Sequence, residues 1–260
     1  MGEPLPIGVS IRTIRSEPVW WLASARRLDE AGYAGVWAWD HFMGRGDKTV
    51  PVVECWTILS AAAAATSRVT VAPFVANVMN RHPAVLARMA STLQIVSGGR
   101  LILGIGSGWF QKDYDQFGYD FGTVPSRLRQ LDADLPRTIA RMVRGNPPPH
   151  RRIPVLIGGG GEQVTLRITA QYADIWHGYG SARTFRHKNE VLDAWCRRLD
   201  RDPATIERSA GVGPDDVARG DDLLAAGMTQ MAIGVFGRTF DAEAVRRWVA
   251  WRDERNADRG

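Results

Sequence analysis

The sequence predicts a closed parallel (β/α)8 barrel of the TIM-barrel class, and three observations predict it. Short apolar, β-branched runs alternate with longer amphipathic stretches from one end of the chain to the other. Eight strand–helix pairs can be counted, and no linker, internal repeat or change of composition divides them. The length, 260 residues, suits one closed barrel better than an open doubly wound sheet. Residues 1–260 are therefore read as a single domain.

Taken in order, residues 6–12 form the first strand. Over residues 19–31 Trp20, Ala23, Leu28 and Ala31 recur at near-helical spacing, and Gly32 ends that helix. Residues 35–41 make the second strand, which ends in the polar pair Asp40 and His41. A loop over 43–50 leads to a helix over 51–66, opened by Pro51 and carried by an alanine run. Residues 69–75 are the third strand and 82–96 the third helix; Gly98 and Gly99 then release the fourth strand, 101–105. Helix over 127–143, strand over 153–157, helix over 162–172, strand over 174–179 and helix over 184–199 follow. Residues 209–213, 215–226, 230–236 and 242–256 complete the alternation.

Composition narrows the function. The 45% hydrophobic content is ample for a core, and several of the 10 tryptophans are expected to line a cavity. The net charge of +5 comes from 33 Lys and Arg scattered among 28 Asp and Glu, as in Arg26, Arg27, Asp29 and Glu30. That scatter reads as solvated helix faces, and with no recognised nucleic-acid module it argues against a nucleic-acid partner. Cys55 and Cys196 are far apart and outside any metal-ligand spacing, which fits a reducing, cytoplasmic setting. No apolar run reaches the roughly 18 residues of a membrane span, so no membrane partner is expected. The five histidines form no ligand motif, so no metal is expected either.

A parallel barrel works at the C-terminal ends of its strands. Those ends carry Asp40 and His41, then Val75 to Asn77, then Gly106, Ser107, Gly108 and Trp109, then the four glycines Gly158, Gly159, Gly160 and Gly161, then residues 176–179. Glycine at Gly104, Gly106 and Gly108 serves either close approach of a flat or phosphorylated ligand or tight packing alone. The spacing is not that of a dinucleotide fingerprint. Gly158 to Gly161 ahead of a helix offer unhindered N–H groups to a phosphate, with Glu162 an awkward neighbour for an anion. His41 can move a proton near neutral pH, and Arg81 and His82 either position other groups or cap the helix that follows.

Assembled, these motifs have a counterpart. Gly32-Tyr33-Ala34-Gly35-Val36-Trp37 with Asp40-His41-Phe42, then Glu54-Cys55-Trp56-Thr57, Arg81-His82-Pro83-Ala84, residues 97–109, Asp113-Tyr114, and Pro154 to Glu162 running on to Trp176, are collinear over about residues 6–200. The chain resembles the bacterial luciferase-like superfamily of flavin and deazaflavin oxidoreductases, and most of all its coenzyme F420-dependent members. The resemblance implies a barrel mouth that holds an isoalloxazine-like ring against a bulge with a non-proline cis peptide at Phe74–Val75. It implies that Asp40 and Asn77 contact the ring or its side chain, Gly106, Ser107 and Gly108 the ribityl chain or phosphate, and Gly158, Gly159, Gly160 and Gly161 the phosphate. His41 matches a catalytic histidine of the sugar-phosphate-oxidising relatives, and Arg45, Lys48 and Lys112 either meet the cofactor's anionic tail or serve only to solubilise the surface. Pro73 and Phe74 replace small residues, Trp109 stands where sugar-phosphate-oxidising relatives have an acid, Asp113 replaces glutamate, and the segment 144–153 is short. The implied activity is hydride transfer between F420 and a small organic substrate by a homodimer. The alternatives are an FMN monooxygenase served by a partner reductase, or a barrel that binds a flavin without turnover.

Overall fold

The computed structural model describes residues 5–44, 47, 49–235 and 242–257. Among these residues nine strand segments form one parallel sheet: β1 (Ile7–Ile11), β2 (Gly35–Ala38), β3 (Thr70–Pro73), β4 (Ala76–Asn77), β5 (Leu103–Gly106), β6 (Val155–Gly158), β7 (Ile175–Gly178), β8 (Glu207–Val212) and β9 (Gln230–Val235). Their order is β3-β2-β1-β9-β8-β7-β6-β5-β4. The two ends of that order, β3 and β4, are consecutive in the chain and separated only by Phe74 and Val75. They are the halves of one interrupted strand, and a parallel bridge from Val71 to Leu101 closes the ring. The result is the eight-fold barrel that the alternation predicts.

Among the described residues nine α-helices flank it: α1 (Pro18–Glu30), α2 (Cys55–Ala65), α3 (Pro83–Val96), α4 (Gln111–Phe117), α5 (Val124–Val143), α6 (Thr165–Tyr172), α7 (Ala182–Arg198), α8 (Gly220–Ala225) and α9 (Ala242–Ala257). Strand residues alternate between two cores. Val36, Val71, Leu103, Val155 and Ile233 pack outward under the helices. Trp37, Ala72, Ile102, Leu156, Ile175 and Ala232 fill the barrel with Phe74. Trp37 spans so much of that interior that a Cβ on Gly8 would lie 2.1 Å from its ring.

Several boundaries differ from the sequence reading, each for a local reason. α2 starts at Cys55 rather than at Pro51 because the Glu54 carboxylate caps it, accepting from the N–H groups of Trp56 at 3.2 Å and Thr57 at 2.7 Å. α5 starts three residues earlier than expected, on a reciprocal cap between Thr123 and Ser126. α6 starts at Thr165, three residues after Glu162, and α8 only at Gly220. α4 is additional. Phe236, the expected last residue of the eighth strand, lies outside the described residues.

Two buried devices set the height of the third strand. Asp29, near the end of α1, accepts from the N–H groups of Ser67, Arg68 and Val69 at 2.7–3.0 Å. Burial opposes its charge, but these donors outweigh burial and hold the carboxyl below its ordinary pKa. At the other end, Gly104 faces the interruption, and a Cβ there would stand 2.1 Å from the carbonyl oxygen of Pro73. Backbone cannot swing aside as a side chain can, so Gly104→Ala is expected to cost about 1–3 kcal/mol. Urea unfolding of the variant checks this, and an unchanged midpoint would show that the interruption moves freely.

Candidate active site

At the C-terminal ends of the strands lies a cavity of about 490 Å³, bounded by the segments after β2, β5 and β6, by the interruption between β3 and β4, and by β7. Its shape follows from the interruption. The Phe74–Val75 peptide is cis, at the position the resemblance assigns to such a bond. Phe74 stacks on Trp37 with ring centroids 4.8 Å apart and lies against the His177 ring at 4.4 Å. Val75 takes the room left by the glycines opposite: a Cβ on Gly106 or Gly158 would come within 3.0 Å or 3.2 Å of its methyl groups. Of the alternate glycines, Gly104 and Gly106 therefore serve tight packing at the interruption in the first instance.

Asp40 holds this arrangement from the side. Its carboxylate, fully buried, accepts both Arg81 Nη1 at 2.7 Å and Nη2 at 3.0 Å, and the backbone N–H of Asn77 at 3.0 Å. Arg81 also donates to Glu54 at 2.8 Å, which joins the cap of α2 to the bulge. Burial works against the Glu54 charge, but Thr57, Trp56 and Arg81 prevail and keep its carboxyl below the ordinary range. The open choice at Arg81 and His82 is thus divided. Arg81 positions Asp40, while His82 Nδ1 accepts from Ala84 N at 3.3 Å at the start of α3.

The remaining expected residues fall unequally. Asn77 lines the cavity, with its amide committed to Tyr114 Oη at 2.7 Å and Asn80 Oδ1 at 3.0 Å. Gly108 has φ +73°, and a Cβ there would strike Tyr114 Oη at 2.2 Å. Ser107 is half-buried on the cavity wall. Gly158 and Gly159 line the cavity; Gly160 and Gly161 lie beyond it on an exposed turn. Glu162 is paired with Lys188 Nζ at 2.6 Å, which answers its negative charge beside that turn. Lys112 is exposed on α4 and apart from the lining; Arg45 and Lys48 lie outside the described residues.

His41 also lines the cavity. Its Nδ1 meets Asp113 Oδ2 at 2.7 Å, and the other carboxylate oxygen accepts the Phe42 N–H at 3.2 Å. Asp113 is buried on α4, so this short helix exists at the mouth to bring an acid to the histidine. The sequence reading gave no role to a second histidine, His177. It lies in β7 with its side chain inward, two positions after the inward Ile175, and that parity was the available signal. Its Nδ1 lies 3.0 Å from Ser209 Oγ, and its buried Nε2 has no hydrogen-bond partner among the described residues.

A barrel interrupted in its third strand, with glycines under the interruption and a His–Asp pair at the mouth, has known relatives. The sequence profile of luciferase-like monooxygenases matches residues 20–214, well over half of the chain. The chain belongs to the luciferase-like monooxygenase family. An uncharacterised Mycobacterium tuberculosis protein is 27% identical over 218 residues, 76% of this chain and 75% of that protein. Among solved structures, an F420-dependent secondary alcohol dehydrogenase in complex with an F420-acetone adduct superimposes with a TM-score of 0.82 at 15% identity, covering 94% of this chain and 96% of that one. The oxygenating constituent of 3,6-diketocamphane monooxygenase from Pseudomonas putida, in complex with FMN, gives 0.65 at 16% identity over 80% of this chain and 67% of that one. In fold the chain is like these luciferase-like proteins. Among the described residues no helix is long and apolar enough to cross a membrane, and no three His, Cys, Asp or Glu are grouped to hold a metal ion.

Burial pushes the His177 pKa down from 6.5 to about 3, with Ser209 opposing only in part. The folded protein keeps the ring neutral, whereas the unfolded chain protonates it below about 6.5, so His177 leaves stability unchanged above that pH and subtracts from it as pH falls from about 6.5 to about 3. The loss is at most about 1.4 kcal/mol per pH unit. His177→Gln is expected to flatten the acid side of a plot of unfolding free energy against pH, between about pH 6.5 and about pH 4. Parallel slopes for variant and parent would mean that another group governs the acid limb.

Proposed function

We propose that this luciferase-like protein is an F420-dependent oxidoreductase that moves a hydride between the deazaflavin and a small organic substrate. The observation that carries the reading is the His41–Asp113 pair on the wall of a cavity that a flat heterocycle fits. Three features of the chain support the fit: the Val75 bulge, the unpartnered Nε2 of His177, and the glycine backbone of Gly158 and Gly159. In this reading Phe74 and Val75 back the ring, His177 meets one of its polar edges, and Gly158 and Gly159 face the phosphate. Asp40 acts by fixing the backbone of Asn77, and Ser107 and Gly108 line the path of the side chain.

F420, when bound, supplies the carbon that gives or takes the hydride. The protein handles the proton. Asp113 fixes His41 through Nδ1, which leaves Nε2 as the nitrogen that can take a proton from a substrate hydroxyl or return one. The carboxylate stabilises the imidazolium while it carries that proton. Trp39, Trp109 and Phe110 stand around the His41 ring and keep bulk water from it. The family resemblance extends the reading to a cytoplasmic homodimer. FMN is the second reading, favoured by the family's monooxygenase members and by the same cradle.

Titration with F420 and, separately, FMN, followed by tryptophan quenching, is expected to give a tighter complex with F420. Preference for FMN would move the assignment to a monooxygenase, and binding of neither would end both enzyme readings. Turnover of F420 against a panel of small alcohols is expected to fall about 10²–10⁴-fold in His41→Asn. Asp113→Asn should follow in the same direction, with cofactor affinity retained in both. Undiminished rates in His41→Asn would remove it from the chemistry.

A further inference from the structure

Three rings converge on the His41 imidazole: Phe110 perpendicular to it with centroids 5.3 Å apart, Trp39 tilted at 5.7 Å, and Trp109 perpendicular at 5.8 Å. All three line the cavity with it. Trp39 is tied down through Nε1 to Ser10 Oγ at 2.9 Å, whereas Trp109 is 69% exposed. That exposure does not come from a loose chain. Gly108 O, next to Trp109, accepts Arg127 Nε at 3.1 Å, and Asp113 on the following helix holds His41 at 2.7 Å. A large indole fixed on a cavity wall and left open to solvent is apolar surface that a ligand in the cavity would cover.

The same wall disfavours charge. Among the described residues no Lys or Arg lines this cavity. Its two carboxylates are occupied, Asp40 by Arg81 and the Asn77 N–H, Asp113 by His41 and the Phe42 N–H. An anionic substrate would find no counter-ion except the histidine that must exchange a proton, and a cationic one would find no spare carboxylate. Size narrows the choice further. With the Phe74–Val75 floor given to the cofactor ring, a cavity of about 490 Å³ leaves room for one small ring rather than a fused system.

We infer that the substrate is an uncharged alcohol or ketone with a single aromatic ring beside its reacting carbon, and that Trp109 selects it by packing against that ring. This rests on the oxidoreductase reading for the reaction, and on the ring cluster and the lining without Lys or Arg for the substrate. In the oxidising direction the carbinol carbon loses a hydride with its electron pair to F420, the hydroxyl proton passes to His41 Nε2, and the alcohol becomes a ketone. Reduction runs the same transfers backwards.

The test compares kcat/KM of the full chain with F420 for 1-phenylethanol, its saturated counterpart 1-cyclohexylethanol, its anionic counterpart mandelate, and 2-butanol. Calorimetric binding of acetophenone, with and without F420, gives a readout apart from turnover. Both are repeated in Trp109→Leu and Trp109→Phe, each first shown folded by circular dichroism. The parent is expected to favour 1-phenylethanol over 1-cyclohexylethanol about 3–10-fold and to use mandelate worst. Trp109→Leu should lower the ratio of 1-phenylethanol to 2-butanol, and the acetophenone affinity, by about 10-fold, and Trp109→Phe should restore most of both. The ratio cancels any effect of the indole on His41 or on water, because 2-butanol meets the same histidine. F420 affinity should be retained throughout. If neither variant folds, the ranking of the four compounds by the parent decides. An unchanged ratio in Trp109→Leu would overturn the inference, as would mandelate used as well as 1-phenylethanol, or a parent that binds no acetophenone. So would a fall in F420 affinity matching that for acetophenone, which would assign the indole to the cofactor. Trp109-dependent binding of acetophenone by a protein that takes neither F420 nor FMN would support the aromatic site and overturn the oxidoreductase reading instead.

Discussion

The mouth of this barrel depends on one buried ion pair, Asp40 with Arg81. The carboxylate is fully buried, accepts one arm of the guanidinium on each oxygen, and on Oδ2 also accepts the backbone N–H of Asn77. Such a pair gains little over a well-packed apolar contact, but losing either partner leaves a buried charge uncompensated at a cost of several kcal/mol. Its value here lies in what it joins. Asp40 stands two residues beyond β2, β4 carries Asn77, and Arg81 continues to Glu54 at the head of α2. Strand, bulge and helix are fixed relative to one another before any ligand arrives, and His41, the next residue after Asp40, inherits that fixity.

The interruption of the third strand is the geometric counterpart of that clamp. A continuous strand would send its side chains alternately into the two cores. Breaking it at Phe74 and Val75 turns Phe74 onto Trp37 and His177, and turns Val75 over the glycines of β5 and β6. The apolar floor of the cavity is therefore made by the strand that is broken, and the depth of the cavity by residues without side chains. Only glycine suits positions where a Cβ would overlap Val75 or the carbonyl of Pro73.

How much of this was legible follows from the range of each interaction. The strands and most helices were readable because alternation and periodicity are local. α4 was not, since Gln-Lys-Asp-Tyr-Asp-Gln-Phe has no apolar stripe and is held by Asp113 and Tyr114 reaching across to His41 and Asn77. The start of α2 was misplaced because Pro51 signals a helix, whereas the cap that decides is Glu54. At the site, Asp40, His41, Asn77, Ser107, Gly108, Gly158 and Gly159 all reach the cavity wall, while Gly160 and Gly161 run past it. Glycines alone give no measure of how far a turn extends. The pairings of Asp40 with Arg81 and of His41 with Asp113 span about forty and seventy residues, and no local pattern announces them.

The two histidines divide the chemistry of the cavity between them. His177 is enclosed by Phe74, Tyr179 and Ser209, and burial keeps it neutral, so it can offer a hydrogen bond but cannot store a proton. His41 has a carboxylate behind it and open wall in front, which is what a group that exchanges protons needs. A site with two exchanging imidazoles would have two competing protonation states for every bound molecule. Here burial removes that ambiguity on one side and Asp113 fixes the orientation on the other. Trp39 and Tyr179 border both this cavity and a second recess at the strand ends, so the wall beside the histidines is shared between the two.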